Sequence, residues 1–287
     1  MSLLEPSACG TTRFFVTSPA DAPLEVYVLF TRWSLCWAIL WLACGLVAKV
    51  VVLPHLPPSS KSYENNPMYL GQKLAASFKC TLIAGIANVT LHSLLARPVG
   101  ASTPWSRELE FGPYPLIEVA GVLFVGFEAA DLVLSMFCNF LDTEHIIHHV
   151  IHIFLGILIR TNCAPALTAA ILMAQETSGV PLNYYLALRH RLPDHPTVLF
   201  AQALFAFAFL VWRLLLGTYG TYHYVAYAAG VLPSTFTSLH ARALGGTLVL
   251  ASALQWYWGY VIVKACVKAA VARKVPKTSS RKGSCGS

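Results

Sequence analysis

Four histidines fall within nine residues of this chain, in the stretch EHIIHHVIH at positions 144–152. They are His145, His148, His149 and His152, and this spacing puts them on one face of an α-helix, about 100° wide. Isoleucine and valine occupy most of the positions between them. The pattern predicts a helix that turns its imidazoles toward the protein interior and its aliphatic side chains toward lipid or neighbouring helices.

Two carboxylates in neighbouring apolar stretches fall at a depth similar to that of the histidines. At a rise of about 1.5 Å per residue, the histidines lie about 6–12 Å from one membrane face, Asp131 about 13 Å and Glu176 about 16 Å. Ionisable groups inside a membrane are costly and mark functional sites. We therefore predict a catalytic site made of these carboxylates with His148 and His149. The alternative is a structural network in which the carboxylates only orient and neutralise the imidazoles.

Two kinds of chemistry fit the histidine pattern. His145, His148 and His149 have the spacing HxxHH, which resembles a histidine box of membrane di-iron hydroxylases and desaturases. Two irons need several such boxes, and the other histidines form no second one, so the sequence predicts no metal and no other cofactor. It favours proton transfer, in which a histidine takes a proton from a lipid amine or hydroxyl while a carboxylate holds its tautomer. The same groups could also bind a lipid head group without reaction.

The composition indicates a membrane protein. Of its 287 residues, 56% are hydrophobic and only 11% are charged, against about 25% charged residues in soluble domains. The net charge of +7 lies at the predicted membrane edges and in the C-terminal tail, so nucleic acid is not an expected partner. The eight cysteines are scattered and are interpreted as buried apolar residues.

Seven apolar stretches are long enough to cross a bilayer, which takes about 20 residues per helix. We therefore predict an all-α, polytopic membrane helical bundle. Seven basic residues from Lys264 onward place the C-terminus in the cytosol by the positive-inside rule, and the N-terminus on the other side. The predicted spans are 28–53, 74–96, 115–140, 146–162, 164–187, 196–217 and 243–263.

Charged residues outside the histidine cluster are predicted to reach the membrane surfaces. Lys79 would extend its amine to the cytosolic surface, and Arg213 would reach the opposite interface, as would His92 and Glu118. Glu128 differs, because it lies one turn before Asp131 and is expected to join the site.

Three features of the chain occur together in a known family. They are the His148–His149 pair opening one span, Asp131 near the end of the span before, and the segment Met173–Asn183, MAQETSGVPLN, in the span after. On these features the chain resembles the TLC-domain proteins, which include ceramide synthases and the translocating-chain-associated membrane protein. The resemblance covers roughly residues 70–265 and implies six helices around a lipid-sized cavity.

The acidic segment departs from that of the ceramide synthases. In those enzymes a His-His pair is followed, one span later, by His-Asp-x-x-Asp. The corresponding residues here are Gln175, Glu176 and Gly179. The departure argues against N-acyl transfer, because a catalytic base needs both its position and a matched pKa. The Glu-x-Ser and Pro-Leu-Asn pattern instead resembles the TLC branch whose members influence membrane phospholipid or ceramide composition.

The resemblance therefore implies a multi-pass protein of membrane lipid homeostasis, acting on phospholipid or sphingolipid composition in the endoplasmic reticulum or another endomembrane. One alternative is a ceramide-synthase-like N-acyltransferase with acyl-CoA as co-substrate, so enzyme status stays open. Another is a trafficking adaptor without catalysis. Membrane lipids are the expected partners, and a homo-oligomer is a further option.

The sequence divides into four parts on this reading. They are a non-cytosolic segment 1–27, a first transmembrane helix and loop 28–69, a TLC domain 70–265 and a basic cytosolic tail 266–287. Polar residues around the catalytic group are predicted to bind lipid. These residues are His145, His152, Glu128, Gln175, Ser178 and Asn183.

Overall fold

Every regular element is helical in residues 22–96, 115–161, 166–226 and 238–274, the parts of the chain that the computed structural model describes. The main helices are α1 (Ala22–Val47), α2 (Pro67–Leu95), α3 (Pro115–Phe137), α4 (Thr143–Thr161), α5 (Ala166–Ala174), α6 (Gly179–Leu188), α7 (Pro196–Ala208), α8 (Gly217–Ala226) and α9 (Ser238–Lys274). Shorter helical pieces connect or extend them, and they are the π-helical Ala48–Val52 and Phe209–Leu216 and the 3-10 turns Leu53–His55, Ser62–Asn65 and Gln175–Ser178.

This architecture confirms the predicted all-α membrane bundle. Within the described ranges, five helical stretches are long and apolar enough to cross a membrane by length and composition. Two predicted spans, 146–162 and 164–187, are not among them. The apolar part of α4 is the shorter Thr143–Leu158, and a 3-10 turn divides the other span into α5 and α6. The five stretches are Tyr27–His55, Pro67–Leu95, Leu116–Phe137, Pro196–Ala226 and Ala241–Lys268.

Local sequence decides where two of these helices begin. The Asn66 side chain accepts a hydrogen bond from the Met68 amide, and Pro67 occupies the first helical position of α2. Both features favour a helix start, because the cap satisfies a free N–H and proline needs no donor there. The same combination, His195 followed by Pro196, opens α7. Helix α2 therefore starts seven residues before the predicted 74.

The central packing unit is formed by α1, α2, α3 and α5. Its buried core contains many small residues from α2 and α5, such as Ala75, Ala87 and Ala170, which let the helix backbones approach closely. Two tryptophans of α1 fix its position against the other helices. Trp37 donates its indole N–H to the Leu123 carbonyl at 2.9 Å, and Trp41 donates to the Met68 carbonyl at 2.8 Å.

A close contact between helix backbones involves Gly71 of α2 and Gly45 of α1. A Cβ added at Gly71 would lie 2.6 Å from the Gly45 Cα, and this neighbour is backbone that cannot rotate away.

We expect Gly71→Ala to lower the melting temperature of the purified protein, because overpacking costs about 1–3 kcal/mol. Gly85→Ala in the same helix is the matched control. Nothing lies within 4 Å of its added Cβ, so higher helix propensity should leave stability equal or raised. An unchanged melting temperature for Gly71→Ala would contradict this account of the contact.

Candidate functional site

A lysine lies at the centre of a buried charged cluster. Lys79, on α2, places its Nζ 3.0 Å from Glu128 Oε1 on α3 and 2.6 Å from Glu176 Oε2 in the 3-10 turn between α5 and α6. All three side chains are buried, with Glu128 only 1% exposed. The aromatic rings of Phe124 and Phe127 flank the ammonium, with centroids 4.9 and 4.8 Å away. The lysine thus joins two carboxylates that come from different parts of the chain.

Two of the four histidines contact carboxylates of α3. The Nε2 atom of His149 lies 3.0 Å from Asp131 Oδ2, and its Nδ1 atom is in close contact with Glu128. The Nε2 atom of His145 lies 3.2 Å from the same Asp131 Oδ2. The ligand atoms of Asp131, His145 and His149 all lie within 4.8 Å of one another, which makes these residues a candidate metal-holding group.

An arginine closes the other side of the cluster. Arg213 donates from Nε to Ser178 Oγ at 2.7 Å, and its guanidinium lies 3.8 Å from Glu176 Oε1. It belongs to the π-helical Phe209–Leu216, and such wide turns occur frequently at functional sites. The Cys80 thiol donates to Glu176 Oε2, the oxygen that also contacts Lys79, at 2.9 Å. Three side chains from two other helical elements therefore contact the Glu176 carboxylate.

The formal charges of this cluster do not cancel unless a further cation is present. The bases Lys79 and Arg213 pair with Glu128 and Glu176. The third carboxylate, Asp131, faces two histidines. Buried charges require partners of opposite sign, because an unpaired ion in low dielectric is strongly destabilising. Both ring nitrogens of His149 face carboxylates. Either a second ring proton or a cation bound at this ring supplies the missing charge.

The other two histidines have different surroundings. The Nδ1 atom of His148 is buried and, among the described residues, makes no hydrogen bond. Its ring lies 4.1 Å from the ring of His152 and 5.5 Å from that of Trp258 on α9, measured between centroids. His152 donates from Nδ1 to the His148 carbonyl at 2.7 Å. The histidine face thus divides into a pair that contacts carboxylates and a pair that contacts aromatic rings, with His148 against Trp258 of α9 and His152 against Phe124 of α3.

The predicted positions of Lys79 and Arg213 are wrong. Both were expected at membrane surfaces, and both lie inside the cluster with less than 10% of the residue exposed. The cause is the length of their helices. Lys79 is twelve residues from the start of α2 at Pro67, about 18 Å by helical rise, which is too deep for its amine to reach the surface. Arg213 lies similarly far from Ala226, because the helical chain continues nine residues beyond the predicted end at 217.

The other predicted site residues lie around this cluster. Asp131 contacts two of the histidines directly, whereas Glu176 is joined to them through Lys79 and Glu128. Gln175 packs against Gly217 of α8, and Asn183 places its amide nitrogen 3.9 Å from the Cys80 sulfur. The catalytic and lipid-binding roles assigned to these residues stay predictions.

Sequence reasoning also missed a positioning residue. Gln72 donates from Nε2 to Asp131 Oδ1 at 2.9 Å and to Ser135 Oγ at 3.0 Å. These contacts hold the carboxylate so that its other oxygen faces the histidines. A glutamine buried in an apolar helix is a usable signal, because its amide needs partners in hydrocarbon. The partner on another helix, however, cannot be read from α2 alone.

A cavity of about 180 Å³ lies between the end of the first helical stretch, α2 and α6, and no residue of the charged cluster lines it. It is lined mainly by apolar residues, with Lys73 and Asn183 among the polar ones. This volume is below the 300–1,000 Å³ typical of ligand pockets. The lipid-sized cavity implied by the family resemblance therefore stays a prediction.

Comparison with known protein families identifies the class. The family model of the TLC domain matches residues 33–264, which is most of the chain and includes most of α1. The protein belongs to the TLC-domain family and is a multi-pass membrane protein of this lipid-related class. A search of curated proteins found no match. The match begins well before residue 70, the predicted start of the domain, and the predicted domain boundaries themselves stay predictions.

Proposed function

We propose that this protein acts in membrane lipid homeostasis, and that a lipid head group engages His148 beside the charged cluster to alter phospholipid or sphingolipid composition. The observation that carries the proposal is the environment of His148. Its ring nitrogen is buried and has no hydrogen-bond partner among the described residues, although a buried polar group normally has one. A substrate or ligand would satisfy this atom.

The cluster next to His148 gives the proposal its chemical basis. The rings of His148 and His149 are 5.4 Å apart, and His149 is held against two carboxylates. A neutral imidazole without a carboxylate partner can accept a proton from a lipid hydroxyl or amine. The neighbouring charges, fixed by Lys79 and Arg213, would then stabilise the charge that develops.

Acyl transfer is the second candidate, and the His148 Nδ1 atom, which has no hydrogen-bond partner in the described part of the chain, also favours it. In this reaction acyl-CoA would be the co-substrate and His148 the base that removes a proton from the acceptor. The residues at Gln175 and Gly179 weigh against it, because they replace polar groups of the ceramide synthase pattern. A trafficking adaptor without lipid chemistry is the outcome that the experiment below separates from both.

The proposal extends to location and partners. We infer membrane lipids as the ligands, the endoplasmic reticulum or another endomembrane as the location, and a cytosolic C-terminal tail. The basic residues that follow the last apolar stretch support this orientation. A homo-oligomer is compatible with the exposed apolar faces of these helices, which lipid would otherwise cover.

We expect His148→Ala to abolish the change in lipid composition that the wild-type protein causes in cells, while its melting temperature stays within a few degrees. The reason is that His148 contacts no carboxylate of the described residues, so its removal would leave none of them unpaired. Untargeted lipidomics of cells with and without the protein, beside thermal unfolding of each variant, measures both effects. The control is His92→Ala, an exposed histidine of α2, which should preserve the lipid profile.

The same variants test the structural alternative. His149→Ala should lower both stability and function, because it leaves Glu128 and Asp131 without this neighbour. If His148→Ala preserves the wild-type lipid profile, the proposed role of His148 is wrong. If no lipid class responds to the protein at all, the adaptor alternative is favoured.

A further inference from the structure

We propose that Asp131, His145 and His149 bind a single divalent zinc ion. This inference is independent of the proposed lipid function, because it concerns the pair of histidines on the α3 side and not His148. A mononuclear site needs only three protein ligands and a water. One histidine box has too few ligands for two irons, but two of its histidines with Asp131 are enough for a single zinc ion.

The spacing of the ligands fits a metal site. His145 and His149 are four residues apart on α4, the helical separation that places two imidazoles on one metal. Asp131 comes from the adjacent α3, so two helices supply the ligands. Zinc lies about 2.0–2.2 Å from nitrogen and oxygen ligands, which leaves such atoms about 3.0–3.5 Å apart for bond angles between 90° and the tetrahedral value. The distances of 3.0 and 3.2 Å from the two Nε2 atoms to Asp131 Oδ2 lie in this range.

The direction of the imidazoles favours a shared ion over direct hydrogen bonds. Both histidines turn the same atom, Nε2, toward one oxygen of Asp131. The His145 Nε2 atom is buried and, among the described residues, makes no hydrogen bond, although Asp131 is only 3.2 Å away. A lone pair pointing at a metal explains why the donor geometry of a hydrogen bond is not met.

Further side chains are placed to orient the ligands. Glu128 contacts the Nδ1 atom of His149 and so favours a proton on that nitrogen. The lone pair of the ring is then on Nε2, the atom that faces Asp131. Gln72 donates to Asp131 Oδ1 and leaves Oδ2 for the ion. Carboxylate and amide partners of this kind fix ligand orientation in zinc sites. The ion also brings two positive charges to a cluster in which the carboxylates exceed the two bases by one negative charge.

The site has an accessible side. His145 is the third residue of α4, and 23% of its side chain is exposed, whereas His149 and Asp131 are buried. An ion can therefore approach along the His145 side from the end of the bundle. That side is also the position for a water molecule as fourth ligand, and this open coordination is typical of catalytic zinc sites.

The test begins with the full-length protein, purified without a histidine tag. We expect elemental analysis to find about one zinc per chain, as a single three-ligand site predicts. Treatment with a chelator should lower the melting temperature, and zinc chloride added back should restore it. X-ray absorption at the zinc edge should show only nitrogen and oxygen neighbours. The wild-type measurements remain informative even if a variant fails to fold.

Variants locate the ion within the histidine-rich helix. His145→Ala and Asp131→Asn should lose the bound zinc, and Glu128→Gln should weaken zinc affinity about 10–100-fold. His148→Ala, between the two ligands, should keep it. Absence of zinc together with no thermal response to added zinc would overturn the proposal. Equal zinc loss in His148→Ala and His145→Ala would also overturn it, as would about one iron per chain, because that would assign the site to a different metal.

Discussion

Lys79→Met is expected to destabilise the folded protein by about 3–5 kcal/mol, the usual cost of removing one partner from a buried ion pair. Glu128 and Glu176 would then lie in an apolar interior without the ammonium, which is 3.0 and 2.6 Å from their oxygens. Such a loss is a large fraction of the stability of an ordinary domain. Thermal unfolding in detergent and the yield of folded protein measure it.

A charge-matched control separates this effect from a general loss of positive charge. Lys73→Met removes a lysine from the same helix, but this amine lies over the Tyr69 ring and is only partly buried. We expect a smaller loss from it than from Lys79→Met, because Lys73 makes no ion pair with a described carboxylate that its removal would break. Neutralising the carboxylates together with the lysine, in Lys79→Met with Glu128→Gln and Glu176→Gln, should recover part of the stability. A wild-type melting temperature for Lys79→Met alone would mean that the cluster does not depend on this pairing.

Arg191→Ala should produce the second large effect, at the end of the bundle where the α1–α2 connection meets the α6–α7 loop. Arg191 donates from Nη1 to the Pro57 carbonyl at 2.7 Å and from Nη2 to the Glu64 carbonyl at 2.5 Å. Leaving the buried Glu64 carbonyl without this donor costs about 1–3 kcal/mol, and loss of the partly buried bond to Pro57 adds to it. We therefore expect a clear loss of melting temperature and faster proteolysis of the connection between residues 56 and 66.

The contact has an internal control two residues away. Arg189 carries the same charge, but its described contact is with the Tyr185 ring at 5.8 Å, so Arg189→Ala should change stability little. The Glu64 side chain, fully buried, also accepts from Ser59 Oγ at 2.5 Å and pairs with His190 at 2.7 Å. These bonds should persist in Arg189→Ala. Equal destabilisation by the two arginine variants would show that charge, and not the hydrogen bonds of Arg191, is responsible.

The Lys79 cluster and the Arg191 contact lie in different parts of the fold. The Lys79 cluster lies within the spans and joins elements far apart in sequence, and Lys79 and Glu176 are 97 residues apart. The Arg191 contact lies outside the spans and fixes the ends of the same helices. Since α2 carries Gln72 and Lys79, an error in its axial position would move both side chains away from their carboxylates. The hydrogen bonds of Arg191 therefore contribute to the site, because they help to fix the position of α2 along its own axis.

The histidine face was predictable because it depends on one helix alone. The spacing of His145, His148, His149 and His152 follows from 3.6 residues per turn, and no tertiary information enters. The depth of Asp131 was predictable for a similar reason, since its helix ends close to where the apolar stretch ends. The family resemblance rests on the same local motifs, and the match over residues 33–264 confirms it.

The division of the histidines into two pairs could not be predicted from the sequence. All four share one helix face, and the pairing depends on which neighbour each side chain meets. Helix α3 presents carboxylates to His145 and His149, whereas α9 presents Trp258 to His148. The approach of α9, more than 100 residues further along the chain, is a property of the folded bundle.

The sequence by itself determined the class of the protein: an all-helical membrane protein with four histidines on one helix face. Hydrophobic composition and helical periodicity are local, so they can be read without a fold. The tertiary structure alone decided that Lys79 and Arg213 complete the site. Their depth depends on where helices begin and end, at Pro67 and Ala226, and hydropathy places such ends poorly. Their partners lie on other helices. Only packing of the helices brings these opposite charges together in an interior where water cannot solvate them.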